Sequence, residues 1–360
     1  MSGLNSFQTL RLRSTVAIAA IGTLCALSAC GFVGGSSDKD TLVFGGFGGS
    51  LETAMEEEVI PAFEEKYDVD VTYVTGTSDE LLAKAKSDSS GMDVIWTNDS
   101  THHTGKAEDV FAELDPDVVG NLDDVYPAAI DPDNIGVATG MQALGLVYNT
   151  EVFEEQGWEP PDSWMDLWDD RFDGHVVGYN IPIGYANLLL VQAAIMNGGS
   201  PTDLEPGWSA LEELAPEAAA WVSPPAQLDS LLSDGTAWLA YNGSSRAYAA
   251  QAADVPVDFV YPKEGAIAYP QYFDVVESAP HPELAQKFVD FALEESSQVG
   301  MAEVAMMGPV NRKVKLSDDV AATVPYGEPA IGDLQFLETD HLNATLDDIT
   351  DRWTRLVGEA

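Results

Sequence analysis

Cysteine is almost missing from this 360-residue chain: there are two, Cys25 and Cys30. Basic residues are scarce as well, with 16 Lys and Arg against 60 Asp and Glu, a formal net charge of -44. The first shortage excludes a disulfide scaffold and a cysteine-held metal in the body of the chain. The second makes nucleic acid and anionic lipid surfaces unsuitable partners, because a surface of this sign repels both. Long apolar runs are also lacking. The stretch from Thr15 to Ala29 is shorter than the roughly 20 residues that a membrane-spanning helix needs, and no later segment is long and apolar enough to cross a membrane. Gly-x-Ser-x-Gly and His-Glu-x-x-His are absent, which leaves no motif for a serine hydrolase or a zinc peptidase. No internal repeat is evident, which argues against a structural or adhesive repeat protein. The carboxylates are too numerous for one acid–base pair to stand out, so a secreted glycosidase has no specific support.

What is present begins at the N-terminus. Arg11 and Arg13 precede the short apolar run, which closes on Leu27-Ser28-Ala29-Cys30. This order describes a secretory signal peptide, and the four residues look like a bacterial lipobox in which Cys30 becomes the lipidated first residue. Residues 1–29 are then a leader, and residues 30–40 a flexible tether rich in Gly and Ser. The leader holds two of the 16 basic residues and no acid, leaving 14 basic against 60 acidic residues in the mature chain. The acids are spread along its whole length, as on a solvated acidic surface suited to high salt; a binder of cations is the other reading. The mature body, about 330 residues, exceeds one ordinary core and suggests two lobes.

Strand and helix patterns alternate along the body. Thr41–Phe44, Val69–Val74 and Met92–Trp96 read as strands, with helical spacing in Leu51, Ala54, Met55, Val59 and Phe63. The alternation returns with strands at Ala143–Tyr148, His175–Tyr179 and Ala237–Tyr241, and a buried helix over Leu188–Met196. Such alternation predicts a parallel α/β sheet. Pro160-Pro161 and Pro224-Pro225 read as loops inside a lobe.

Several segments together resemble the extracellular solute-binding proteins of ABC importers, in the branch that holds the spermidine/putrescine-binding and ferric-binding proteins. They include Val59-Ile60-Pro61-Ala62-Phe63-Glu64, Met92-Asp93-Val94-Ile95, Leu144-Gly145-Leu146-Val147-Tyr148-Asn149, Ser163-Trp164-Met165-Asp166-Leu167-Trp168, Tyr241-Asn242-Gly243-Ser244 and Gly308-Pro309-Val310-Asn311. The resemblance implies an α/β, two-lobed periplasmic-binding-protein-like fold of type II, with two hinge crossovers and a ligand cleft between the lobes that closes by hinge motion. The crossings fall near Gly140–Ala143 and Gly265–Tyr269. Residues 41–140 then form the first part of lobe 1, 141–265 lobe 2, and 266–360 the return to lobe 1 with the C-terminal helices. It further implies no enzyme activity, no cofactor, a monomer, a small-molecule solute, permease subunits as partners, and membrane contact only through the lipid on Cys30.

Ligands of open α/β sheets sit beyond the carboxyl ends of the strands. The loops there nominate Gly48 and Ser50, Asn98 and Ser100, Asn180 and Tyr185, Tyr241 and Asn242, and Tyr269 and Gln271. The glycine-rich turn suits close backbone approach, and equally a tight strand-to-helix connection; helix capping by Asp99 or Ser100 is the alternative use of the second loop. Tyr241 and Tyr269 offer aromatic faces to a cation, with ordinary packing between lobes as the alternative. Arg246 could reach a carboxylate or phosphate, or face solvent. Where a polyamine binder is expected to place acids, this chain has Asn180-Ile181-Pro182-Ile183-Gly184-Tyr185 and Gln271. It has no Tyr-Tyr pair for ferric ion, and His102-His103 has no spaced partner for a metal. The first expectation is a polyamine-like or other small organic cation, with a phosphonate or an amino-acid-like zwitterion as the alternative.

Overall fold

We describe a computed structural model of the chain over residues 39–359, except residues 88–90, 182–183 and 224. The expectations for the leader and for Cys30 lie outside the described residues, as do Pro182 and Pro224 of the loops named above.

Nine strands form one sheet: β1 Thr41–Gly46, β2 Asp70–Thr75, β3 Val94–Asn98, β4 Val137–Asn149, β5 Val176–Tyr179, β6 Ala220–Val222, β7 Leu239–Gly243, β8 Val257–Val260 and β9 Ile267–Val275. Their order is β2-β1-β3-β9-β4-β7-β5-β6, with β8 also paired to β4. The sheet is mixed, which corrects the expectation of a parallel one. β1–β2, β1–β3, β5–β6 and β5–β7 are parallel. The two strands that cross the middle run antiparallel to each other, from Val137 opposite Phe273 to Leu144 opposite Ile267. The predicted crossings, 140–143 and 265–269, lie on or beside this pair. A register shift between Ala138 and Gly140 bends β4 there. Beyond it, β4 is gripped on both edges, by β7 from Leu144 opposite Gly243 and by β8 from Leu146 opposite Val260.

Each side of the crossing has its own aromatic packing. On the β1 side Phe44 touches Phe273 at 4.9 Å and Phe288 at 5.0 Å, and Phe288 meets Phe63 at 4.9 Å. On the β5 side Phe153 lies 5.5 Å from Phe172 and from Trp158. Rings of this size, buried or, for Trp158, partly buried, supply much of the burial that holds such layers.

The helix Leu346–Glu359 packs against residues 180–221. Trp353 meets Trp221 edge-on at 4.6 Å and donates its indole N–H to Asn180 Oδ1 at 3.2 Å. Arg352 pairs with Glu205 at 2.6 Å and stacks over Trp208. The preceding segment stays on the other side, where Thr339 donates to Asp99 at 2.7 Å. The C-terminal stretch thus reaches from the helix after β3 to the helix and strand around Trp208 and Trp221. No described helix is long and apolar enough to cross a membrane.

Candidate functional site

The loops after the strands converge on two cavities. Gly48, Ser50 and Tyr185 line one of about 580 Å³, together with Gln142, Asp229, Ser245, Arg246 and Met306. Asn98, Ser100 and Tyr269 line a second of about 320 Å³, with Gly184, Asn187, Tyr272, Asp99, Asp131, His103, Phe336, Glu338 and Thr339. Tyr185 and Tyr269 meet edge-on, ring centroids 5.0 Å apart, so this ring pair forms part of the wall between the two spaces. Burial pushes the Tyr185 hydroxyl pKa up to about 12, so both rings are neutral faces at ordinary pH. Tyr185 comes this close to β7 only because position 243 is glycine: a Cβ there would sit 2.5 Å from the Tyr185 hydroxyl.

Four nominated residues do not line either cavity. Tyr241 is 1% exposed, and its hydroxyl accepts the backbone N–H of Tyr179 at 3.0 Å. Asn242 is equally buried and accepts from the Tyr179 hydroxyl at 2.9 Å. Both belong to the core around β5 and β7. Asn180 is spent on tertiary contacts, donating to the Trp221 carbonyl at 2.9 Å and accepting from Trp353. Gln271 is buried inside β9 between Asn98 and Gly140, and its Oε1 has no hydrogen-bond partner among the described residues.

The helix Asp99–Ala107 carries one wall. Its cap is Asn98, whose Oδ1 accepts from Thr101 N at 2.9 Å, and not Asp99 or Ser100 as anticipated. Ending β3 on its own capping residue places Asp99, Ser100 and His103 in the first turns, beside the cavity. Asp99 is held by Thr339 and lies 3.6 Å from His103 Nε2.

Behind this wall lies a buried charge cluster. His102, fully excluded from solvent, stacks on Tyr272 with centroids 4.0 Å apart. Its Nδ1 is 2.7 Å from Asp274 Oδ1 and its Nε2 3.4 Å from Asp131 Oδ2. Asp274 also accepts from Thr97 Oγ1 at 2.5 Å, and Asp131 from Lys106 at 2.7 and 2.8 Å. Burial alone would lower the His102 pKa, but the two carboxylates outweigh it and raise it to about 9. Burial would raise the pKa of Asp131, yet its bonds to His102 and Lys106 hold it far below the usual carboxylate range. The cluster ties the helix to β9, through Asp274, and to the loop that enters β4, through Asp131. Gly136 is needed here, because a side chain would collide with Asp274 and His102. Among the described residues, no group of three or more His, Cys, Asp or Glu is placed to hold a metal ion.

Sequence reasoning missed Asn187. It sits in the helix Gly184–Met196, is 8% exposed, lines the 320 Å³ cavity, and its Oδ1 has no partner among the described residues. An acceptor left unmet in such a place costs about 1–3 kcal/mol unless something donates to it. The available signal was one of two amides, with Gln192, in a largely apolar helix. Tyr272 and the Phe336–Thr339 stretch carried no such mark.

The arrangement is an aromatic and acceptor-rich chamber on one side of a ring pair and a wider polar chamber on the other. Comparison with known proteins agrees with a ligand-holding role. Residues 58–326 match the family model described as "Bacterial extracellular solute-binding protein". The gamma-aminobutyric acid-binding protein of Pseudomonas aeruginosa is 26% identical over 284 residues, 74% of this chain and 76% of the relative. The spermidine/putrescine-binding periplasmic protein of Escherichia coli is 25% identical over 280 residues, 74% and 77%. Among solved structures, an ABC transporter protein from Clostridium perfringens superposes with a TM-score of 0.78 at 23% identity, covering 88% of this chain and 99% of that one. With the family model spanning most of its length, and the two-lobed fold shared with solved relatives, this chain belongs to the bacterial extracellular solute-binding proteins.

Proposed function

We propose that the chain captures a small amine-bearing solute outside the cytoplasm and delivers it to the permease of an ABC importer. The observation that carries the chemistry is Asn187, which lines the cavity with Tyr269, Tyr272, Asp99 and Glu338 and whose buried Oδ1 has no partner among the described residues. An ammonium group brings several N–H donors and is attracted by aromatic faces and carboxylates, so it satisfies this set where an anion or a plain hydrocarbon does not. The names of the two relatives, which bind amines of one or two charged ends, lie within the same class.

In this reading residues 41–140 and 266 to about 340 make one lobe, residues 141–265 with the final helix make the other, and the cleft between them closes on the solute. The chain acts as a monomer, tethered to the membrane by lipid on Cys30. It is a binder and not a hydrolase. Asp99 and Asp131, two of the carboxylates that line this cavity, are engaged by Thr339 and by His102 and Lys106.

Thermal unfolding with a panel of solutes tests the assignment. A ligand at about 100 times its Kd stabilises by ~2.7 kcal/mol. We expect 1,4-diaminobutane or 4-aminobutanoate to raise the melting temperature and glucose or butanoate to leave it unchanged. Asn187→Leu, which keeps the branched skeleton but not the acceptor, should abolish the amine response. A response to sugars alone would refute the reading.

A further inference from the structure

The chamber around Asn187 is walled in large part by hydrocarbon. Pro127, Ile130, Leu188, Pro270, Phe336 and Leu337 line it beside the rings of Tyr269 and Tyr272. We propose that the solute is a monoamine with a compact apolar body, an aryl or cyclic alkyl amine, and not a linear polyamine. The inference rests on the amine-binding reading above and names the solute class of the same chamber.

The helix Gly184–Met196 brings Gly184, Asn187 and Leu188 to the cavity, positions i, i+3 and i+4 of one helical face. The unmet acceptor of Asn187 thus has an apolar side chain as its neighbour on that face, an anchor for one charged end next to a surface for carbon. Phe336 also lines the cavity, yet it is 40% exposed. A ring left open to water at a cavity wall gains from an apolar body laid against it. A cavity of about 320 Å³ is small for a ligand site, and few polar groups among apolar walls is the pattern of one that holds a compact molecule. A second ammonium here would lose hydration against Pro127, Ile130 and Pro270. Among the described residues that line this chamber, only Asn187 has a buried side-chain acceptor without a partner. Asp99 and Asp131 are engaged by Thr339, His102 and Lys106, and Glu338 is exposed, where an ion pair contributes little. In the 580 Å³ cavity the buried, unpartnered Asp229 Oδ1 would suit a second ammonium. Its other oxygen, however, is paired with Arg246 Nη1 at 2.6 Å, so the charge is already met and the guanidinium repels another cation brought to the same carboxylate.

Titration calorimetry at pH 7 with 2-phenylethylamine, cyclohexylmethylamine, 1,4-diaminobutane and 2-phenylethanol tests this. At least one of the two ring-bearing amines should bind about 10-fold or more tightly than the diamine, the range set by burying one apolar side-chain-sized group. 2-Phenylethanol, which has the ring of 2-phenylethylamine without the ammonium, should bind more weakly than that amine. Phe336→Ala, at an exposed position, should weaken the ring-bearing amine by about 3- to 10-fold, the range of one aromatic contact, and narrow its advantage over the diamine. Unliganded melting curves establish that the variant is folded, and the wild-type comparison decides without it. If 1,4-diaminobutane binds at least as tightly as both ring-bearing amines, or if folded Phe336→Ala keeps the full preference, the apolar body is refuted while the amine reading survives. If 2-phenylethanol binds as tightly as 2-phenylethylamine, or no compound binds, both are refuted.

Discussion

Tyr241 and Tyr269 look alike in the sequence: each is an aromatic residue at a strand that points to the cleft. The structure separates them. Tyr269 lines the 320 Å³ cavity, whereas Tyr241 is sealed in the core with its hydroxyl bonded to the Tyr179 backbone. Tyr241→Ala should therefore destabilise the protein by about 3–5 kcal/mol, as large-to-small core changes do, and leave solute affinity unchanged under conditions where the variant is folded. Tyr269→Ala should do the reverse, with affinity falling by about 1–2 kcal/mol and the denaturation midpoint shifting little. Calorimetry and chemical denaturation on both variants check this, and equal effects on affinity would contradict it. The sequence could not distinguish the two because β7 and β9, which carry them, are buried along nearly their whole length. Without an apolar–polar alternation, nothing marks which side of the pleat faces a ligand. The same holds for Asn180, whose amide is bound by Trp221 and Trp353, residues 41 and 173 positions away. The cavity positions of Gly48, Ser50, Asn98, Ser100 and Tyr185 were legible because these residues lie at a strand end or in the turn or first helical turn that follows one, where position alone carries the inference.

At the scale of elements, the short apolar strands were readable and the long central one was only half so. All 13 residues of β4 are buried. Its second half, Leu144–Tyr148, reads as a strand, while Thr139, Gly140 and Gln142 interrupt the apolar run of the first half. β9 shares the difficulty with Pro270, Gln271 and Asp274 inside it. These polar residues belong to the crossing and to the cluster at its base, where His102 joins Asp274 of β9 to Asp131 ahead of β4. That cluster gives the fold a pH dependence. The folded His102 titrates near 9 against 6.5 in an ordinary setting, so its contribution is fully present below about pH 6.5 and is lost as pH rises through about 9. Urea denaturation midpoints should fall between pH 6.5 and pH 9.5, and His102→Gln should flatten that fall while lowering stability at pH 6. A wild-type midpoint that holds constant over this interval would remove the charged cluster from the account. The C-terminal helix was the least legible element. Its docking depends on Trp353 and Arg352 meeting Trp221, Trp208 and Glu205, pairings between distant segments that no local pattern announces.

For the whole molecule, charge and architecture act together. An acidic surface attracts cations, and in the proposed reading the chamber around Asn187 holds the amine that arrives. The architecture was readable from the order of strands and from the family segments, but the chamber was not, since its walls come from β9, the helix after β3, the helix after β5 and the stretch Phe336–Thr339. The most direct measurement is a crystal structure of the protein with the amine that stabilises it most. The account predicts the ligand nitrogen within hydrogen-bonding distance of Asn187 Oδ1, against the rings of Tyr269 and Tyr272. A ligand bound with its nitrogen away from that chamber, and Asn187 Oδ1 still unpartnered, would contradict it.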